Sequence, residues 1–493
     1  MIPRIAGFTL AAALLGAGTT AAQTAPPDSL RLTITESVRR ALEQSEEVRV
    51  ARAEVDNASA QARSARSALL PQISTSLLYT KTLRSVFQSV GGFTLPDSLK
   101  FEPDSLASVA DRLRYLEDKT PNAAFGALGS MFSDLPFGRE NAWTMAASIT
   151  QPIFAGGRIL YSVSLANNAA DAAESSLLEA TADVALQTRL AYLGARLAED
   201  GVAIVSNSVQ LARSHLERVQ LQLETGRASE LDVLRAEVEW QNLVPQQIDA
   251  EHGYALALLN LKRLINVPTS TALVLTTQLD PSDPELPAIE SPALPQPASV
   301  QGRLAQRAAV RAADELVDLR RTQVKVARSA YLPTLGLSGT FARQAYPGGF
   351  WPEGDWRDDW NVSLALNWTF FQGMRRGADL DASHAQLRQA ELQRAQLLEA
   401  VELEYQQAEG DVVRARAQIA TAATTVRQAE RVHDLTQLRF DEGLATQLDV
   451  SSARLALQQA RLNAARSYHD FYAALARAER ALGVPPRDSW KMP

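Results

Sequence analysis

One short acidic motif occurs twice in this 493-residue chain, and it is the strongest candidate for a chemical role. Its copies span residues 226–232 and 443–449, each beginning with glycine and ending in Leu-Asp. The glycine suits the left-handed position that ends a helix. A hydroxyl residue, Ser229 or Thr446, stands three positions before the aspartate. This spacing predicts a capping box that opens the next helix.

The aspartates of this motif, Asp232 and Asp449, have two compatible interpretations. Taken singly, each is explained as a carboxylate that the helix dipole favours near a helix N-terminus. In a symmetric oligomer, however, both turns would repeat around one axis. The carboxylates would then form an acidic ring at a constriction, which would favour cations.

Other reactive groups are scarce in this sequence. It contains no cysteine, which excludes a disulfide framework, a thiolate metal site and a cysteine nucleophile. We find no nucleophile with a partnered base, and the histidines lack metal-ligand spacing, so we interpret them as solvated or interfacial side chains. These histidines are His215, His252, His384, His433 and His469. We therefore expect no enzyme activity, no cofactor and no metal.

The charge and the N-terminus restrict the partners and the compartment. A formal net charge of -7 argues against a nucleic-acid partner, because nucleic acids bind to basic surface patches. Residues 1–22 are predicted to be a signal peptide, with Arg4 followed by an apolar run and small residues. That run is shorter than the roughly 20 residues that span a bilayer. The exported chain has no cysteine that could carry a lipid.

The acidic motif belongs to a duplication that covers the exported chain. The segment ARSALLP at residues 65–71 recurs as ARSAYLP at 327–333. Two long copies indicate a duplicated fold rather than a solenoid array. We place the first repeat at 23–268, a Pro-rich equatorial linker at 269–300, the second repeat at 301–486, and a C-terminal tail at 487–493.

Each repeat predicts a helix, a β-hairpin, a very long helix, a glycine-centred turn and a return helix. A long helix of this kind would reach roughly 100 Å and is typical of a coiled coil. The predicted ranges are 36–69, 71–154, 158–225 and 229–266 in the first repeat, and 302–332, 333–371, 374–442 and 446–483 in the second. The first hairpin encloses a long exterior loop at 82–142, partly ordered near 105–117, and a short strand could lie at 273–275.

The four hairpin strands alternate apolar and polar residues over about 10 positions, the length of a tilted transmembrane strand. Taken alone, a single strand of this kind is better explained by a half-buried soluble sheet with one face on a core. Four of them favour lipid, because the helices bury their own seams and cannot cover the strands. An open strand edge is not tolerated in lipid, so we expect several chains to share one barrel. The predicted lipid-facing residues of the second repeat are Leu335, Leu337, Phe341, Trp360, Val362, Leu364, Leu366, Trp368 and Phe370.

With the strand end QPIFAGG at 151–157 and the tip motif G-x-x-x-x-L-D-V, the duplicated chain resembles the TolC-like outer-membrane efflux proteins, also called outer membrane factors. The resemblance implies an α+β membrane protein whose duplicated long-helix hairpins form a periplasmic α-barrel. Each chain would contribute four transmembrane β-strands to a shared trimeric 12-stranded β-barrel. The implied location is the outer membrane, extending into the periplasm.

The resemblance also implies a function and partners. The chain would be the passive exit duct of a tripartite efflux or type I secretion system. Its implied partners are two further copies in a homotrimer, a periplasmic adaptor (membrane fusion) protein, an inner-membrane pump and outer-membrane lipid. The alternative is a soluble periplasmic coiled-coil adaptor or scaffold, which would also need long helical hairpins. The aromatic-bordered strands favour the channel, since an adaptor's β-rich region would be soluble.

Finally, the resemblance assigns roles to the tips. The implied periplasmic aperture or gate comprises Asp232, Asp449, Phe440 and Ser452. The implied adaptor-contacting residues are Gly226, Arg227, Ser229, Gly443, Leu444 and Thr446. Ser452 stands where relatives can carry a second aspartate. Phe440 and Ala445 stand where some relatives carry the tyrosine and arginine that latch the closed tip, and Arg227 or Arg235 could replace that arginine.

Overall fold

The structure is a computed structural model that describes residues 30–84, 101–133, 140–280, 283–289, 297–352, 354 and 356–484. The predicted signal peptide and C-terminal tail lie outside the described residues. The described elements, in chain order, are β1 (Leu30–Leu32), α1 (Ile34–Gln44), α2 (Glu46–Ser67), β2 (Gln72–Lys81), α3 (Val109–Ser133), β3 (Asn141–Phe154), α4 (Arg158–Glu224), α5 (Glu230–Leu264), β4 (Leu273–Leu275), α6 (Pro297–Ala305), α7 (Ala308–Ser329), β5 (Thr334–Ala345), β6 (Arg357–Asn367), α8 (Arg375–Asp441) and α9 (Gln447–Ala481).

The chain divides into two compact units. The first comprises residues 1–54, 174–312 and 395–493, and the second comprises 55–173 and 313–394. Most of both long helices, both return helices and the turns between them therefore belong to the first unit. The four long strands belong to the second. Among the described residues, no helix combines the length and the apolar character needed to cross a lipid bilayer.

The first unit is built around a small parallel sheet and the aromatic residues of the return helix α9. Strand β1 pairs with β4, with Leu30 opposite Leu273. The buried Tyr192 hydroxyl donates to the Leu32 carbonyl at 2.9 Å and accepts from the Thr277 backbone at 3.0 Å. This satisfies backbone groups where the sheet ends. The sequence predicted β4 within the linker but missed β1, because three residues are too short for an alternating pattern.

The helix predicted at the start of each repeat is in fact two helices. In the first repeat the break falls at Ser45, between α1 and α2, and in the second it falls between α6 and α7. The predicted cap of the first is confirmed, since the Thr33 hydroxyl accepts from the Glu36 backbone at 3.2 Å. Ser45 is buried and is the C-cap of α1, where its backbone N–H donates to the Ala41 carbonyl, and its hydroxyl donates to the Glu47 carboxylate in the first turn of α2.

The second unit contains a four-stranded antiparallel sheet in the order β2-β3-β5-β6. A bulge between Pro152 and Phe154 precedes the turn into α4. Gly156 makes this turn with φ +61°, and a Cβ there would lie 2.7 Å from the Ser329 carbonyl oxygen and 2.8 Å from Leu332 Cβ. Glycine is required because the end of α7 packs directly against the turn.

In the hairpins, one predicted strand end is wrong, and one predicted loop contains a helix. Strand β6 begins at Arg357 and ends at Asn367, so Trp368 and Phe370 lie beyond the strand on which we placed them. The segment 82–142, predicted as a loop with some order near 105–117, contains the 25-residue helix α3. Alanine and leucine in this segment favour a helix, but its Pro121 and flanking turn residues obscured the periodicity.

Candidate functional site: the helical tips and the two-faced sheet

The turns that join each long helix to its return helix, here called the tips (residues 225–229 and 442–446), have the predicted geometry. Gly226 and Gly443 have φ values of +72° and +74°. Both capping boxes are present: Ser229 and Asp232 exchange hydrogen bonds, and so do Thr446 and Asp449. The Asp449 carboxylate accepts from the Thr446 backbone at 2.8 Å and from its hydroxyl at 2.7 Å.

These hydrogen bonds keep both carboxylates ionised. The side-chain hydrogen bond from Thr446, followed by its backbone N–H, lowers the pKa of Asp449 below its ordinary value. The corresponding bonds from Ser229 lower the pKa of Asp232. Asp449 is exposed and Asp232 is half-buried. The capping role is therefore established by the geometry, and it leaves a negative charge at each tip.

The residues expected to contact an adaptor lie on the surface of the tips. Their exposure follows from their position in the turns, outside the packed helix faces. Gly226, Arg227, Ser229, Gly443, Leu444 and Thr446 are all exposed. Ser452, placed at the aperture by resemblance, is also exposed, on the first turns of α9.

Phe440 packs against a histidine that the sequence did not single out as functional. The Phe440 and His215 ring centroids are 5.3 Å apart. His215 is only 4% exposed, and its Nε2 lies 2.5 Å from the Gln447 side-chain oxygen. His215 is therefore an interfacial side chain, which is one of the two interpretations, solvated or interfacial, that the sequence allowed. A lone histidine in a helical sequence gives no signal that the next hairpin will cover it.

Close to the tips, two of the ion pairs that the structure describes connect the first hairpin, α4 and α5, to the second, α8 and α9. Arg218 of α4 meets Asp441 of α8 at 3.2 Å, and Arg454 of α9 meets Glu239 of α5 at 3.0 Å. Glu239 also accepts from the Ser451 hydroxyl. Arg218 makes the first of these connections because it faces α8 one turn after His215. The suggestion that Arg227 or Arg235 replaces the latch arginine of some relatives stays a prediction.

The sheet of the second unit has one apolar and one polar face, and the register shows this directly. Leu335 is opposite Leu366, Leu337 opposite Leu364, and Phe341 opposite Trp360, while Val362 faces Gly339. The first-repeat residues Ile73, Leu77 and Tyr79 fall on the same face through β3. On the other face, hydroxyl pairs join Ser74 to Ser148 and Ser338 to Ser363, each at 2.8 Å.

Aromatic clusters border the apolar face at both ends. At one end, Tyr79 lies 5.0 Å from Trp143, which stacks on Trp351 at 5.8 Å, and Phe350 packs against all three. At the other end, the rings of Trp368 and Phe370 are 4.5 Å apart. Aromatic girdles on either side of an apolar band are typical of strands that face lipid.

Within the residues that the structure describes, no group of three or more His, Asp or Glu side chains is arranged to hold a metal ion. His215 and His433, the two histidines whose pKa values are lowered by burial, lie on different helices.

The comparison with known families decides the identity of this fold. Residues 38–97, 122–267 and 300–484, most of the chain, match the family described as "Outer membrane efflux protein". The chain belongs to the outer membrane efflux protein family. This is a family of transport channels and not of enzymes. Its members' location applies here: the outer membrane, with extension into the periplasm.

Individual outer membrane efflux proteins and related chains resemble it over different lengths. Protein CyaE of Bordetella pertussis is 31% identical over 170 residues, which are 34% of this chain and 35% of that protein. The alkaline protease secretion protein AprF of Pseudomonas aeruginosa is 25% identical over 312 residues, 60% of each protein. The matches thus cover less than two thirds of these relatives.

The fold is that of a solved outer membrane channel. The crystal structure of the Campylobacter jejuni CmeC outer membrane channel superimposes with a TM-score of 0.71 at 16% sequence identity. The match covers 91% of this chain and 85% of CmeC. The predicted fold class, long duplicated helices with a smaller sheet region and a TolC-like arrangement, is therefore confirmed.

Proposed function

We propose that this chain is the outer-membrane exit duct of a tripartite efflux or type I secretion system. It would passively conduct substrates from an inner-membrane pump and a periplasmic adaptor protein. The observation that carries this proposal is the register of the sheet, which collects the apolar residues of four strands on one aromatic-bordered face. Family membership favours this duct over the soluble adaptor or scaffold.

Assembly as a homotrimer is part of the proposal. Strands β2 and β6 are the edges of the four-stranded sheet, and among the described residues each pairs with a single neighbouring strand. Unpaired edges cannot remain in lipid, where no water satisfies their backbone groups. Pairing β2 of one copy with β6 of the next satisfies them, and three copies would give a 12-stranded barrel closed around a polar interior.

The proposed duct could serve either a secretion system or an efflux system. The name of AprF concerns alkaline protease secretion, whereas the family is named for efflux. In either case the tips would contact the adaptor, because their exposed residues lie in the turns where the long helices end. Purified protein in a planar lipid bilayer tests the duct directly. Stable ion conductance supports it, and a chain that stays in the aqueous fraction after a detergent-free wash contradicts it.

The acidic aperture is tested by removing the two tip charges while keeping the caps. In the double variant Asp232→Asn and Asp449→Asn, the amide oxygen can still accept from the backbone of Ser229 or Thr446. Stability should therefore change by less than about 1 kcal/mol, since Asn and Asp serve helix N-termini similarly. We expect the cation-to-anion permeability ratio, measured from reversal potentials in a salt gradient, to fall toward one.

A matched control for this prediction is Glu442→Gln, which removes an exposed carboxylate next to Gly443 but outside the capping box. It should leave the permeability ratio close to that of the unaltered protein. Unchanged selectivity in the double variant would show that the aspartates serve only as caps.

A further inference from the structure

Directly behind the tips lies a buried contact that is required neither by the helix caps nor by an acidic aperture. His215 of α4 is covered by Phe440 of α8 and by Gln447, the first residue of α9. Three helices from both hairpins therefore meet at one imidazole, directly behind the tips. This inference rests on the proposed function: if the tips form the aperture of the duct, widening that aperture requires the helices that meet at this imidazole to separate.

The hydrogen bond of His215 indicates which of its ring nitrogens carries the proton. The Gln447 side-chain oxygen is an acceptor, so Nε2 of His215 carries the proton and donates to it at 2.5 Å. In the neutral ring Nδ1 is then unprotonated. This nitrogen is buried and has no hydrogen-bond partner among the described residues. A second proton would therefore be added at a buried atom with no acceptor, which is costly.

The charges around His215 make the cationic ring still less favourable. Arg454 of α9 is only 4% exposed and lowers the pKa of His215 through its charge. Arg218, on the same helix as His215, acts in the same direction, although it is paired with Asp441 of α8. Glu239 of α5 opposes them, but its carboxylate is already engaged by Arg454.

We propose that His215 is a proton-sensitive lock of the tips: neutral, it holds α4 against α8 and α9, and protonation at Nδ1 releases them. The trigger would be acidification of the periplasm. The lock is not part of the duplicated scaffold, because the position eleven residues before the tip glycine in the second repeat is Val432. One titrating residue per chain would thus control the contact between its two hairpins.

The direction of the pH effect follows from linkage. Burial, as the largest cause, lowers the pKa of His215 below the ordinary value of 6.5 in the closed tip. In an open, solvated tip the ring would titrate near that ordinary value. Above it neither state takes up a proton, and the closed tip keeps its full stability. Below it the open tip binds the proton first, so closure weakens as the pH falls.

Spin-label distances across the tips test the lock independently of conductance. The chain has no cysteine, so Arg227→Cys and Leu444→Cys can be labelled cleanly on the exposed turns of the two hairpins. We expect distances in lipid nanodiscs to lengthen between pH 7.5 and 5. The ratio of open to closed tips should rise by up to about tenfold per pH unit below 6.5.

Substitutions then identify the titrating group. His215→Gln should remove the pH response, and His215→Phe provides a second non-titrating ring if the first variant does not assemble. His252→Gln, at an exposed histidine of α5, should leave the response intact. The pKa values of Asp232 and Asp449 are lowered, so these residues do not titrate in this range.

Three results would overturn the lock. The first is pH-independent distances in the unaltered protein, and the second is a response that survives at His215→Gln. The third is a response that disappears at His433→Gln, since the charge of Arg454 also acts on His433. Failure of the duct itself is recognised separately. A protein that inserts into a bilayer and never conducts contradicts the proposed function, whatever the label distances show.

Discussion

Replacing Arg480 by alanine is expected to lower the free energy of unfolding of the first unit by about 3 kcal/mol. Arg480, on α9, is 7% exposed and donates to Glu179 at 2.5 Å and Asp183 at 2.6 Å on α4. Glu179 also forms an ion pair with Arg307 at 3.2 Å, and Arg307 forms a second ion pair with Glu404 of α8. Burial alone would lower the pKa of Arg480, but the bonds to these carboxylates raise it overall.

The loss follows because alanine leaves two carboxylates close together without their shared cation. Asp183 keeps half of its side chain in water, so the effect should fall at the lower end of the range for broken buried pairs. Urea unfolding followed by helical circular dichroism measures it. Arg213→Ala is the matched control: its pair with Glu217 is exposed, and its loss should cost under about 0.5 kcal/mol. Equal effects of the two variants would contradict a structural role for the buried network.

Val362→Arg should prevent insertion of the sheet into the outer membrane. Val362 is 80% exposed on the apolar face, between Trp360 and Leu364. An arginine on the lipid face near the middle of a bilayer costs about 2–4 kcal/mol, and a trimer would incur this cost three times. We expect the amount of heat-resistant trimer in outer-membrane fractions to fall severely.

The neighbouring variant Ser363→Arg provides the control, because successive strand residues point to opposite faces. It places the same side chain on the polar face, where Ser363 now pairs with Ser338. That variant should assemble at close to normal levels. Poor assembly of Ser363→Arg together with normal assembly of Val362→Arg would mean that the faces of the sheet are reversed.

The duplicated architecture could be predicted from the sequence because its signals are long or repeated. The long helices were placed within one residue of their observed ends, and the return helices within two, because each is bordered by a glycine turn or a capping box. The strand faces followed from alternation alone. The end of β6 was misplaced, since Trp368 and Phe370 continue the alternation after the ladder of hydrogen bonds has stopped at Asn367.

The contacts behind the tips could not be predicted in the same way. His215 and Gln447 are separated by more than two hundred positions, and nothing in either local sequence shows that the hairpins meet there. The same holds for Arg454 and Glu239, which look like ordinary charges on helix surfaces. Periodicity identifies which face of a helix is buried, but it does not identify the residue on the opposing helix.

The polar face of the sheet has a consequence for what the duct can discriminate. From Ser74 and Ser148 to Thr340 and Asn361, this face carries hydroxyl, amide and small side chains but no ionisable group. Charged residues enter it only at the end near Asp359. In the proposed barrel, a solute would pass this stretch of wall among neutral polar groups that neither attract nor repel its charge. Discrimination by charge would not occur along this stretch, which would pass cargo of either sign.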